Sequence, residues 1–186
     1  MSRLERVLVE IAGLLSRLGL DYVVMGGMAV RVHGIPRPTN DVDFTVAVAR
    51  EELPILYASL AALGYTLPEA YSHGWVDQVA GMPVVKLGTY LADGLGIDVD
   101  FFLAETEFQR MVITRRQSCE QDGNCFWIVT PEDLVLLKLI AGRPRDLSDV
   151  ADVLFVQGSL DLQYMTFWAG RLGISDSLNR AINTQT

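Results

Sequence analysis

Apolar residues at positions 4, 7, 8, 11, 14, 15 and 18 recur at the spacing of one helical face, which predicts an amphipathic helix over residues 3–18 stopped by Gly19. The run after it, residues 20–25, is short and apolar and reads as a buried strand. Gly26-Gly27 then gives a sharp turn, and Met28 to His33 is helical in pattern. A second strand is predicted from Asp41 to Val48, and an amphipathic helix from Glu51 to Leu63, with Pro54 tolerated in its first turn and Gly64 ending it.

From Tyr65 to Gly94 the pattern weakens, because prolines and glycines interrupt every long element; a strand near Val84–Leu87 and a turn at Asp93-Gly94 are the legible pieces. His73, Trp75, Lys86 and Tyr90 lie in this stretch, where aromatics beside a sheet can shape a pocket but more commonly pack. Gly96 to Phe102 reads as another strand and Glu105 to Val112 as a helix. Ile113–Ser118 and Cys125–Val129 form a predicted hairpin about the Asp122-Gly123-Asn124 turn.

Thr130-Pro131-Glu132-Asp133 marks a helix start, with a capping hydroxyl, proline at the first helical position and acids in the first turn. Its body, Leu134 to Ala141, is apolar all round except at Lys138, and Gly142 ends it. A cation in a helix that must be buried calls for an anionic partner, either site carboxylates or a bound phosphate; the rival is an ammonium that snorkels to the surface. Residues 146–157 form a further helix that Asp146 is placed to cap, and residues 161–183 add one or two more, with Tyr164, Phe167, Trp168 and Leu172 assigned to the core. The order of elements suits an α+β (α/β sandwich) architecture, a sheet with helices over it.

The chain has 186 residues, half of them hydrophobic and a fifth charged, which suits one globular domain over 1–186 with a helical part at 131–186. No apolar run is long enough to span a bilayer, and the amphipathic N-terminus mixes Glu with Arg, so a cytoplasmic setting is expected. A formal charge of -8 argues against general attraction to nucleic acid while leaving room for a local basic patch. Cys119 and Cys125 match no zinc spacing and read as reduced thiols facing each other across the hairpin. Arg110, Arg115 and Arg116 read as a solvated basic face.

Chemistry concentrates in two acidic pairs. Asp41-x-Asp43 opens one strand and Asp98-x-Asp100 sits in another, each pair on one strand face because side chains alternate. Were the strands neighbours, the crowded carboxylates would resist joint ionisation unless a cation intervened. Oxygen-only ligands favour Mg²⁺ or Mn²⁺ over zinc, and two such ions against a triphosphate would assist in-line displacement at phosphorus. Gly26 and Gly27 let backbone amides approach phosphate at a helix N-terminus.

The order Gly26-Gly27, short helix, Arg37-x-Thr39-x-Asp41-x-Asp43, then Asp98 or Asp100 in an apolar strand resembles the nucleotidyltransferase superfamily of DNA polymerase β-like fold, in particular its minimal AbiEii-like toxin branch. Pro131-Glu132-Asp133-Leu134 to Lys138, followed by Arg143-x-Arg145-Asp146-x-x-Asp149, is similar to the downstream segment of those proteins, so the resemblance spans about residues 20–155. It implies a mixed sheet, Mg²⁺ or Mn²⁺ as cofactor, and an NTP as substrate. The catalytic set it implies is Asp41, Asp43 and a third acid, with Asp98 the better match and Asp100 the alternative, and all four as metal ligands. Gly26, Gly27, Arg37 and Lys138 are implied at the triphosphate, and Arg143 or Asp146 at nucleotide or acceptor. Many relatives carry Gly-Ser where this chain has Gly26-Gly27, so a phosphate-binding hydroxyl is missing.

The expected reaction moves a nucleoside monophosphate from NTP to a hydroxyl on RNA, protein or a small molecule. A toxin–antitoxin role with a cognate antitoxin as partner is a further implication of the branch. The alternative is a catalytically silent module of the same fold that binds nucleotide or a partner protein. Arg31 and His33 are read as packing or surface residues.

Overall fold

The structure is a computed structural model that describes residues 1–67, 75–76, 83–90 and 96–184, with 75–76 and 83–90 described by their backbone alone. The elements run α1 (Arg3–Arg17), β1 (Asp21–Met25), α2 (Gly26–His33), β2 (Asp41–Ala47), a 3₁₀ turn (Arg50–Glu52), α3 (Leu53–Ala62), β3 (Trp75–Val76), β4 (Pro83–Tyr90) and β5 (Gly96–Leu103). Then come α4 (Glu107–Arg115), β6 (Gln117–Gln121), β7 (Asn124–Ile128), α5 (Pro131–Ala141), α6 (Pro144–Gln157), α7 (Leu162–Leu172) and α8 (Ser175–Asn183). His73 and the Asp93-Gly94 turn lie outside the described residues, as do the side chains of Trp75, Lys86 and Tyr90.

The strands form one mixed sheet in the order β3-β4-β5-β2-β1-β7-β6. β2 runs antiparallel to β1 and parallel to β5, and β1 runs parallel to β7. One face is apolar along its length: Tyr22, Phe44 and Phe101 form an aromatic row across β1, β2 and β5, with Phe44 and Phe101 stacked 5.6 Å apart. α1 covers this face, packing on β1, β2 and β7. The opposite face carries Met25, Thr45 and Phe102, and α5 lies over it through Leu134 and Leu137. A one-residue slip of β2 would drive its acids into the aromatic row, so the alternation of buried Val42, Phe44 and Val46 with Asp41 and Asp43 fixes the register.

α5 is apolar all round because it is enclosed on all sides. α2, α6, α7 and α8 pack around it, and Leu134, Val135 and Leu136 are fully buried. Thr130 caps it by accepting from the Asp133 amide, and Gly142 ends it in the left-handed region at φ 64°.

Three expectations are corrected. The hairpin strand begins at Gln117, because residues 113–115 belong to α4, whose start is fixed by a Thr106–Gln109 capping box. Cys119 pairs with Phe126 and Cys125 with Glu120, so the two thiols lie on opposite faces of the hairpin instead of facing each other. Phe167 is 57% exposed, whereas its neighbour Trp168 is buried against Phe108. The turn of this hairpin has positive φ at both Asp122 and Gly123, the combination that two-residue hairpins favour.

Candidate active site

The parallel pairing of β2 with β5 sets Asp41 beside Asp98 and Asp43 beside Asp100, so all four carboxylates fall on one face of adjacent strands. They do not share one environment. Asp41, Asp43 and Asp100 line a cleft of about 440 Å³, and Asp100 is buried; Asp98 is exposed and stands outside that lining. Asp98 lies one pleat nearer the start of β5 than Asp100.

Gly26 and Gly27 form the first residues of α2, behind Asp43. Gly26 has φ +62°, and a Cβ there would fall 1.8 Å from Asp43 Oδ2, so both the backbone and the close approach require glycine. A Cβ on Gly27 would fall 2.3 Å from Thr39 Oγ1. The Thr39 hydroxyl, from the loop before β2, stands against Gly27 and donates to Asp41 Oδ1 at 2.5 Å.

The facing wall is cationic. Arg37, Lys138, Arg143 and Arg145 line the cleft together with Asp146. Lys138 has anionic partners on α6: its Nζ lies 2.8 Å from Asp146 Oδ1 and 2.8 Å from Asp149 Oδ2. The snorkelling alternative is excluded, since Lys138 is 7% exposed. Arg37 forks onto Asp149, and Arg143 Nε donates to Asp146 Oδ2 at 2.6 Å. Charges therefore alternate along one chain: Arg37, Asp149, Lys138, Asp146, Arg143. Burial alone would push both aspartates' pKa values up, but the hydrogen bonds from Arg143 and Lys138 to Asp146, and from Arg37 and Lys138 to Asp149, hold them below the ordinary value. The hydrogen bonds that Arg37 donates to Asp149 raise the Arg37 pKa against the effect of its burial.

Asp146 does not cap α6. Arg143 occupies that position and no side chain caps the helix; Asp146 points inward and is 1% exposed. The spacing Arg143-x-x-Asp146-x-x-Asp149 is the sequence signal that could have revealed the network, because residues three apart share a helix face.

Other candidates lie outside the cleft. His33 is buried, with a ring nitrogen 2.7 Å from the Val129 carbonyl; burial lowers its pKa, and the neutral ring donates that bond. Arg115 reaches Glu132 and buried Asp133 and stacks over Tyr164, while Arg116 pairs with Asp21 and lies over Trp127. These two arginines join elements and are not a solvated face. An apolar groove between α5, α6 and α8 holds no chemistry-bearing cluster beyond Ser177 and Arg180.

The acids of the cleft suit a hard divalent cation by type, offering carboxylate oxygens alone, and the glycine cradle keeps the space beside Asp43 clear. Among the described residues, no three His, Cys, Asp or Glu side chains already stand in a metal-holding group. The fit is therefore one of donor chemistry and shared face, and ligation would draw the carboxylates together.

Residues 2–171 match the family described as "Nucleotidyltransferase of unknown function (DUF6036)". The AbiEii-like branch is a finer placement than this match makes. Among solved structures, the chain is similar to an antigenic nucleotidyltransferase-like protein from Paracoccidioides brasiliensis, at 18% identity and TM-score 0.59, over 97% of this chain and 92% of that one. It is also similar to the antibiotic-resistance factor ANT(2'')-Ia, at 14% identity and TM-score 0.56, over 98% of each chain. A third similarity is to the lincosamide antibiotic adenylyltransferase LnuA in its lincomycin-bound form, at 14% identity and TM-score 0.53, over 82% of this chain and 97% of that one. At these identities the likeness is one of fold. No curated protein matches the sequence.

Proposed function

The chain belongs to this nucleotidyltransferase family, and from that premise we propose that it moves a nucleoside monophosphate from an NTP to a hydroxyl acceptor at the cleft between β2, β5 and α6. The observation that carries the reading is the register of β2 on β5, which gathers Asp41, Asp43 and Asp100 opposite a cationic wall and beside a glycine cradle. Asp41, Asp43 and Asp100 are the residues that would hold Mg²⁺ or Mn²⁺. Bound there, the ions would offset triphosphate charge and lower the pKa of the acceptor hydroxyl.

The protein's own groups do the rest. Amides of Gly26 and Gly27, at the N-terminus of α2, donate to phosphate oxygens. Arg145, which donates to a carbonyl, and Arg143, which pairs with Asp146 but is 64% exposed, neutralise the triphosphate from the α6 side, in preference to Arg37 and Lys138, which are more deeply buried in their pairs with Asp149 and Asp146. Asp100 takes the proton of the acceptor hydroxyl, in preference to Asp98, because it lines the cleft. The acceptor oxygen bonds to the α-phosphorus, the bond from that phosphorus to the β-phosphate oxygen breaks, and pyrophosphate leaves.

The acceptor class is tested directly. Purified protein is incubated with each α-labelled NTP, Mg²⁺ or Mn²⁺, and separate pools of aminoglycoside and lincosamide alcohols, tRNA and cell protein. Label in one pool, absent with γ-labelled NTP and lost in Asp43→Asn, supports the reading. No label in any pool, with nucleotide still bound, favours the catalytically silent module. We also propose, on the sequence resemblance, a cytoplasmic toxin role neutralised by an antitoxin; growth unaffected by induced wild-type protein would remove it.

A further inference from the structure

The loop between α2 and β2 is fastened to α6 at two points, Arg37 on Asp149 and Arg145 on the Pro38 carbonyl. Arg37 donates from Nε to Asp149 Oδ1 at 2.5 Å and from Nη2 to Oδ2 at 2.7 Å, and its Nη1 turns back to the Pro38 carbonyl at 3.2 Å. Arg145, one turn before Asp149 on α6, donates to the same carbonyl at 2.7 Å. Asp149 is a fixed anchor, 1% exposed and tied to Lys138 through Oδ2. The next loop residue is Thr39, whose hydroxyl donates to Asp41 Oδ1 and whose side chain fills the space left by the missing Cβ of Gly27.

We propose that Asp149 is a positioning residue for the metal ligand Asp41. It grips Arg37, the grip sets the 37–39 loop on Gly27, and Thr39 in that loop holds the Asp41 carboxylate in the cleft. A bidentate arginine–carboxylate pair fixes direction as well as distance, which suits it to aim a loop. The same geometry engages three of the five N–H donors of Arg37 within the protein. Outer-shell groups that orient metal ligands have a known signature: their loss weakens metal affinity without touching the ligand. This inference rests on the proposed function, in that Asp41 is taken to bind the ion.

The test is Mn²⁺ binding, followed by the paramagnetic resonance signal of the free ion, for the wild type, Asp41→Asn, Asp149→Asn, Thr39→Val, Arg145→Ala and the Asp149→Asn/Thr39→Val double variant. Asp149→Asn and Thr39→Val should each lower affinity by about tenfold, and the double variant should fall no further than the weaker single, because the two act on one path. Arg145→Ala should lower affinity in the same direction by less. Effects that multiply in the double variant, or wild-type affinity in Asp149→Asn while Asp41→Asn loses binding, overturn the positioning role. Equal binding by the wild type and Asp41→Asn overturns the underlying metal reading instead. Should Asp149→Asn fail to fold, Arg145→Ala and Thr39→Val decide the question, since the first removes an exposed side chain and the second keeps its shape.

Discussion

Gly26, Gly27 and Thr39 show how closely single atoms define the cleft. Gly26→Ala places a Cβ 1.8 Å from Asp43 Oδ2 and forces a left-handed conformation that costs a side-chain-bearing residue about 1–2 kcal/mol. The outcome is a protein less stable by at least that amount in urea melts, with Asp43 displaced and transfer lost. Gly27→Ser, the change toward the Gly-Ser pair, should also lose transfer, because its Cβ would lie 2.8 Å from Thr39 Cβ. Adding Thr39→Gly should restore part of the rate, as the new serine then takes the vacated space; no restoration would show that Thr39 is not what Gly27 accommodates. Asp100→Asn should cut turnover by more than about a hundredfold, while Asp98→Asn changes it only a few-fold. The reverse ranking would return the third carboxylate to Asp98. The two acids are alike in sequence, each following an apolar residue in one strand; the fold separates them by burying Asp100 in the cleft and leaving Asp98 exposed.

At the scale of elements, α5 and α6 behave as one unit held by charge. Lys138→Met leaves Asp146 and Asp149 buried with less compensation, and removing one partner from such a network costs about 3–5 kcal/mol, readable as a shift of the urea midpoint. The pH dependence has a definite sign. Arg37 and Lys138 outweigh burial to hold the Asp149 pKa below its unfolded value, so its stabilisation is complete above that value and fades as pH falls through the folded one. The stability gap between wild type and Asp149→Asn should be flat above about pH 5 and narrow as pH falls below the ordinary aspartate range; a gap that widens on acidification would contradict the pairing. The helix start at Thr130 was legible because a cap is local, and so was the need of Lys138 for an anion, which follows from an apolar helix. Its identity was not. Asp146 reads locally as a cap, and only the turn at Gly142, which folds α6 back on α5, brings it to the ammonium. Residues 113–115 look like strand for the opposite reason, since Ile113 and Thr114 are β-branched, whereas Ile113 is in fact buried as part of α4.

For the whole molecule, the long-range event that matters is the pairing of β2 with β5 across the intervening residues 48–95. Each strand's acidic alternation is visible in the sequence, but parallel neighbours and their register are set by the aromatic row beneath, Tyr22, Phe44 and Phe101, on the face away from the cleft. The same sheet brings the glycine cradle at the end of β1 to the start of β2, so that one edge of the fold collects anion-binding amides, carboxylates and the α6 cations. No helix among the described residues is long and apolar enough to cross a membrane. The most direct test of the assembled cleft is a crystal of the protein with Mn²⁺ and an NTP analogue whose α,β-bridging oxygen is a methylene, read by the anomalous signal of manganese. Manganese within ligation distance of Asp41, Asp43 and Asp100, with the triphosphate between Gly26-Gly27 and Arg143, is the predicted result. Manganese on Asp98, or nucleotide bound away from the β2–β5 carboxylates, would contradict the account.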